Sequence, residues 1–243
     1  MKRVVIVLLP LFLAAPTCGK KPVSTDWGSP DVQRWAPPPQ VVEYDRINVA
    51  GPFSLPDVRI RDEWHGPVLD DEILRYDIHT YDITEEPPEL LEIVRHFFGP
   101  GGYGYIGTLD EEGNLEIWDP PQVVLPASPS VGMSWSGTHQ KGASTSVRSC
   151  EIMTSKFCEG GIVSVCESQR DGGRIILRDQ FCPEVGWSGF EAMVLAGEKP
   201  PIRMWSEHVV RDGVALPEPE LGEGPEAPPA PAPESEEETE APD

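Results

Sequence analysis

No apolar run in this 243-residue chain is long enough to cross a bilayer. The longest, Val4 to Ala15, has twelve residues, whereas a spanning helix needs about 20. Basic residues are scarce as well: 19 Lys and Arg against 41 Asp and Glu give a formal charge of −22. That excess opposes the phosphate attraction on which nucleic-acid binding depends, so nucleic acid is not an expected partner. The histidines, His65, His79, His96, His139 and His208, are dispersed and form no HExxH or HxH pattern. His208 and Glu207 would lie on opposite faces of a strand and cannot act as a dyad through adjacency. No CxxC pair occurs, and no His lies among the clustered cysteines, so neither a metal site nor a cofactor is expected. A serine-hydrolase elbow is also missing. "GMSWS" (132–136) and "GWSGF" (186–190) each lack the final glycine, which argues against Ser134 and Ser188 as nucleophiles. No catalytic residue is assigned, and the expectation is a protein without enzymatic activity.

What the chain does have is an address. Lys2 and Arg3 precede the apolar run, and the small residues Ala15 and Thr17 precede Cys18, the pattern of an export signal over residues 1–17. "LAAPTC" resembles the processing site of bacterial lipoproteins, in which the cysteine thiol receives a diacylglyceryl group. Such sites usually carry leucine three positions before the cysteine and glycine, alanine or serine immediately before it; here the residues are Ala15 and Thr17. The resemblance implies lipidation of Cys18 and membrane attachment through it, and an ordinary secretory signal cut nearby is the alternative. Gly19 stands where inner-membrane retention in that family uses aspartate, so the resemblance implies the outer membrane of the cell envelope.

Cys150, Cys158, Cys166 and Cys182 form an even cluster, which in an exported chain reads as a disulfide framework. "TSVRSCEIMTS" and "GIVSVCESQR" favour strands and are joined by "KFCEGG"; "GRIILRDQFC" follows the turn "RDGG". A first hairpin centred on Cys158 puts Cys150 opposite Cys166. A second centred on Gly172 puts Cys182 opposite Ile162, close to Cys158. Of the three possible pairings, this register predicts Cys150–Cys166 and Cys158–Cys182, and a one-residue slip would undo it.

Composition divides the rest. Residues 18–40 are Pro-rich and suit a tether; residues 216–243 are acidic, Pro-rich and free of Lys and Arg, and should stay solvated. Between them, residues 41–215 suffice for one domain. Strand-favouring segments include "VVEYDRINV", "DVRIRDEW", "EILRYDIHTYDI", "YGYIGTL", "NLEIWD", "AMVL" and "IRMWSEHVV". "EEPPELLEIVRHFFG" predicts a helix, with Pro87 and Pro88 in its first turn and Leu90, Ile93, Val94 and Phe97 at helical spacing. The expected class is mainly β (α+β), a curled antiparallel sheet or half-barrel with one amphipathic helix. "TLDEEGNLEIWD" (108–119) offers some calcium-loop positions, but Gly113 and Asn114 fit a hairpin turn better. "DEWHGPVLDDE" (62–72) reads as a solvated acidic loop. Trp135, Trp187 and Trp205 read as packing residues, whereas Trp27 and Trp35 in the tether are candidates for docking on the domain or a partner.

"DPPQVVLPASPSVGMSW" followed by "FCPEVGWSGFE" is similar to a pattern in exported lipoproteins of half-barrel type, some of which carry lipids or lipoproteins in the concave face. The expected function is that of a lipid-anchored envelope protein with a non-enzymatic binding or structural role, its partner an envelope protein or a hydrophobic ligand. A periplasmic carrier of lipid or another hydrophobic ligand is the alternative.

Overall fold

A computed structural model describes Trp35 and residues 40–216, apart from 52, 71, 72, 111, 171 and 198. The export signal, Cys18, Trp27 and the acidic tail beyond 216 lie outside the described residues.

The strands are β1 (Val41–Ala50), β2 (Phe53–Ser54), β3 (Val58–Asp70), β4 (Ile73–Asp82) and β5 (Glu89–Gly99). They continue as β6 (Gly102–Leu109), β7 (Leu115–Pro126), β8 (Ser134–Lys141), β9 (Ser144–Thr154) and β10 (Ile162–Arg170). β11 (Gly173–Cys182), β12 (Gly186–Ala196), β13 (Ile202–Arg211) and β14 (Val214–Ala215) complete the order. From β3 to β13 each strand pairs antiparallel with the next, and β1 pairs with β3. β1 also pairs with β13, with Arg46 opposite Ser206 and Asn48 opposite Met204. That pairing closes a barrel of twelve strands, the fourteen of the sheet less the short appendages β2 and β14.

Two expectations are corrected. The sheet is a closed barrel, not a half-barrel, and the barrel contains no helix. The segment expected to be helical is β5, whose Tyr76–His96 and His96–Tyr105 pairings lock it between β4 and β6. Its inward residues are Glu92, Val94, His96 and Phe98, a period of two that is masked because two of the four are polar.

The turns β3–β4, β5–β6, β7–β8, β9–β10 and β11–β12 share one end of the barrel with the start of β1. The buried cluster gathers there: Leu74, Phe98, Tyr103, Leu125, Ile162 and Phe181 all lie next to those turns. Tyr103 on β6 and Phe181 on β11 come from nonadjacent strands, and their ring centroids are 6.4 Å apart, so packed rings fill the lumen at this end. Trp35, expected to dock on the domain or a partner, packs against the same cluster.

Cys150 and Cys166 face each other across β9 and β10 and are bonded; Cys158, in the turn between them, is bonded to Cys182. The second hairpin has a different register from that of a turn centred on Gly172. Arg170 pairs with Gly173, so the loop has two residues, the length favoured by Asp-Gly, and Ile162 faces Phe181 instead of Cys182. The β6–β7 connection is a hairpin turn in which Gly113 has φ 82° and the Asp110 N–H donates to the Asn114 carbonyl.

The outer wall is charged within its strands. Arg95 binds Asp77 at 2.6 Å, Arg61 binds Glu63 at 3.1 Å, and Glu191 accepts from Arg178 and Arg203 at 2.8 and 2.6 Å. A barrel wall in lipid presents an apolar band roughly 25 Å tall. This wall carries ion pairs beside exposed apolar residues such as Val147 and Met153.

Candidate functional site

Above the packed end the lumen is open. A small eight-stranded barrel is filled by its side chains or holds one small ligand, and width grows with strand number. Here twelve strands and the small inward residues Gly107 and Ala192 leave a cavity of about 480 Å³, within the range of small-molecule sites. Trp64, His96 and Tyr103 form its floor over the packed cluster. Arg46, Thr80, Thr108, Trp118 and Met204 lie toward the opposite end, where it opens.

Glycines at β6 bring two strands close enough to shape the wall. A Cβ at Gly104 or Gly107 would overlap the backbone carbonyl of Gln122 or Glu116 on β7, so neither position accepts a side chain without moving the strand.

Aromatic rings form much of the lining. Tyr44 meets Trp187 edge-on at 5.7 Å and Phe190 at 5.9 Å; His96 stacks on Tyr103 at 5.4 Å and meets Tyr105 edge-on at 4.7 Å. Among these rings sit a few polar groups. Asp62 on β3 accepts a 2.8 Å hydrogen bond from Thr80, and burial, reinforced by Glu92, pushes its carboxyl up to about 6. Asp179 on β11 accepts from the Trp187 indole N–H at 3.0 Å through Oδ1, and burial likewise pushes it up to about 6. Its Oδ2 has no hydrogen-bond partner among the described residues. His96 is pushed down to about 3 by burial, which leaves its ring neutral, and its Nδ1 is unpartnered too. Arg148 donates to Gln122 at 2.6 Å and lies 5.9 Å from the Tyr105 ring centre. Burial lowers its guanidinium.

The residues singled out in sequence scatter over the barrel. Ser188 is fully buried and donates to the Gln180 carbonyl at 3.2 Å, while Ser134 lies on β8 at an exposed position. His65 and His79 are brought together on the outer wall, their rings 4.2 Å apart; His139 bonds the Pro120 carbonyl and His208 bonds Asp45. His96 alone of the five lines the cavity; His139 is buried opposite Ser146 on β9. The segment 62–72, expected to be a solvated loop, is mostly the strand β3. It turns Asp62 and Trp64 inward and Glu63 and His65 outward, Asp70 pairs with Arg75, and residues 71 and 72 lie outside the described residues. Trp187, read as packing, lines the lumen; Trp135 bonds the Val123 carbonyl and Trp205 bonds Glu207. Among the described residues no group of His, Cys, Asp and Glu is placed to hold a metal ion.

The lumen residues that matter most were not found from sequence. Asp62, His96, Tyr105 and Asp179 come from four strands, and only inward parity connects them. The available signal was a carboxylate or histidine at an inward position beside aromatic residues, as in "RDQF" and "RHFF".

No protein-family model, curated protein or solved structure matches the chain. Fold and site together define its class instead: a closed antiparallel barrel, packed at one end, with a ligand-sized aromatic lumen opening at the other.

Proposed function

We propose that the chain is an exported envelope protein, anchored through a lipid on Cys18, whose barrel binds a small organic molecule in its lumen. The observation that carries the reading is the cavity of about 480 Å³, lined by aromatic rings with a small number of buried polar groups. That combination gives affinity through apolar area and orientation through the polar atoms. The role is binding, not catalysis. His96 is held near 3, too low for a base near neutral pH, and Asp62 and Asp179, raised to about 6, accept from Thr80 and Trp187, with no histidine or thiol bonded to either among the described residues.

The anchor and the lumen are compatible in direction. β1 begins at the packed end, so a tether from Cys18 would join the barrel at the end opposite the opening. Cells fed labelled palmitate should label the wild-type chain, while Cys18→Ala should lose both the label and membrane fractionation. Labelling of Cys18→Ala would refute the anchor.

Binding is tested at Ala192, a small inward residue on β12. Titrating the purified protein with amphiphilic aromatic compounds should shift the emission of Trp64, Trp118 and Trp187. Ala192→Phe, which extends a ring into the same space, should weaken that binding tenfold or more while circular dichroism stays barrel-like. Binding equally tight in Ala192→Phe would locate the ligand elsewhere and overturn the reading.

A further inference from the structure

Resting on the lumen as a binding site, we infer that its ligand is an organic cation, an ammonium group carried on an apolar or aromatic body. Four side chains that are ordinarily charged line the cavity: Asp62, Glu92 and Asp179 against Arg46. Three carboxylates against one guanidinium give the lining a formal charge of −2; the neutral imidazole of His96 offsets none of it, and the Arg148 guanidinium behind the lining offsets part of the charge on Asp179. Composition alone would be a weak argument. The second observation is Asp179, a cavity-lining residue 5 % exposed whose Oδ2 has no hydrogen-bond partner among the described residues. A buried acceptor without a donor is costly; a ligand N–H would supply the donor it lacks, while a quaternary nitrogen close by would offset its charge without donating.

The rings supply the rest of the recognition. The indole of Trp187 binds the other oxygen of Asp179, and the Trp187 ring is edge-on to Tyr44, so carboxylate and aromatic faces occupy one region of the wall. Cations are attracted to such faces within about 6 Å of the ring centre. The opposite ligand charge has less to hold it. Arg148, the buried guanidinium on this side, donates to Gln122 and lies over the Tyr105 ring; its Nη2 has no partner among the described residues, but the residue does not line the cavity. Arg46, the one guanidinium of the lining, has an unpartnered Nε among the described residues but stands toward the opening, whereas Asp179 lies nearer the packed end.

Three probes of nearly one shape separate the possibilities: benzyltrimethylammonium, its uncharged carbon isostere neopentylbenzene, and the anion phenylmethanesulfonate. Calorimetric or fluorescence titration of the full, disulfide-bonded chain at pH 8 should give the cation at least tenfold tighter binding than the neutral isostere, with the anion weakest. Asp179→Asn should lose tenfold or more for the cation and leave the neutral isostere unchanged, and Asp62→Asn should act in the same direction. Binding of the neutral or anionic probe as tight as that of the cation would overturn the charge assignment while leaving the lumen a binding site. Cation binding unchanged in both variants would overturn the role of the carboxylates. If none of the three probes binds, the binding reading falls with the inference.

Discussion

Asp179→Asn should make the ligand-free barrel more stable at pH 8, by about 1–3 kcal/mol. The wild-type carboxyl is raised from its ordinary range to about 6 by burial, so at pH 8 it is ionised in a place that disfavours the ion. Each unit of such a shift corresponds to about 1.4 kcal/mol. Asparagine removes the charge and keeps an oxygen to accept from Trp187, so the one hydrogen bond Asp179 makes survives. For a domain of this size the gain reads as a rise in the thermal midpoint of roughly 2–4 °C per kcal/mol. A stabilised variant that has also lost cation binding is the expected signature of a site residue kept at a cost to the fold.

The pH dependence of the difference between variant and wild type gives a sharper readout. A carboxyl whose folded pKa exceeds its unfolded value contributes stability fully below about pH 4 and loses it as pH rises through about 6. The advantage of Asp179→Asn should therefore be largest at pH 8 and vanish near pH 4. Asp62 has the same sign, since its carboxyl is also raised to about 6. His96 has the opposite one: lowered to about 3, it costs stability as pH falls from about 6.5. The charged or titratable groups felt by Asp179 are Arg148 on β9 and Tyr103 and Tyr105 on β6, none of which changes charge between pH 4 and 8. The two-state midpoints of both proteins in urea from pH 4 to 8 check the difference. A variant less stable than wild type at pH 8 would mean that the buried carboxylate is compensated in the folded chain.

The strands were largely legible, and the barrel was not. "VVEYDRINV", "EILRYDIHTYDI" and "IRMWSEHVV" correspond to β1, β4 and β13, and Gly113 marked its turn. The alternation is clean in β4, with Leu74, Tyr76 and Ile78 inward against Arg75, Asp77 and His79, whereas in β1 it ends at Tyr44 because Arg46 and Asn48 face inward. Closure depends on β1 meeting β13, the two strand ends of the domain, and a contact so distant in sequence leaves no local pattern. The helix expected over "EEPPELLEIVRHFFG" failed because Leu90, Ile93, Val94 and Phe97 satisfy a helical period by accident. The pairing of β5 with both neighbours decided the matter. β9 shows why the lumen could not be read. Arg148 and Ser146 point in and are buried, while Val147 and Met153 point out and are half exposed, the reverse of the polarity rule. A binding lumen needs polar groups inside, and those groups erase the alternation by which an inner face is recognised.

Loss of both disulfides should bring the domain close to unfolding. Cys158–Cys182 closes a sequence separation of 24 residues and Cys150–Cys166 one of 16; in the loop-entropy account each is worth about 3 kcal/mol. Two such losses sum to about 6 kcal/mol, comparable with the whole stability of an ordinary domain, about 5–15 kcal/mol. The two bonds sit in different surroundings. Cys150 and Cys166 face each other within a hairpin whose ladder runs from Ser146–Arg170 to Thr154–Ile162, so strand pairing already holds them together in the native state. Cys158 lies in a turn with few backbone bonds, Ser155 to Gly161 and Gly161 to Cys158, and the bond to Cys182 ties that turn to the end of β11. Because the entropic gain acts through the unfolded chain, the paired alanine variants Cys150→Ala/Cys166→Ala and Cys158→Ala/Cys182→Ala should each lower the urea midpoint by a similar amount. Only the second should loosen hydrogen exchange at residues 155–161. Cys158–Cys182 lies at the packed end, so its removal should leave ligand affinity in the folded fraction within about twofold of wild type at 25 °C. An unchanged midpoint after complete reduction would show that the strand ladder alone carries the fold, and that the bonds act in some other way than by constraining the unfolded chain.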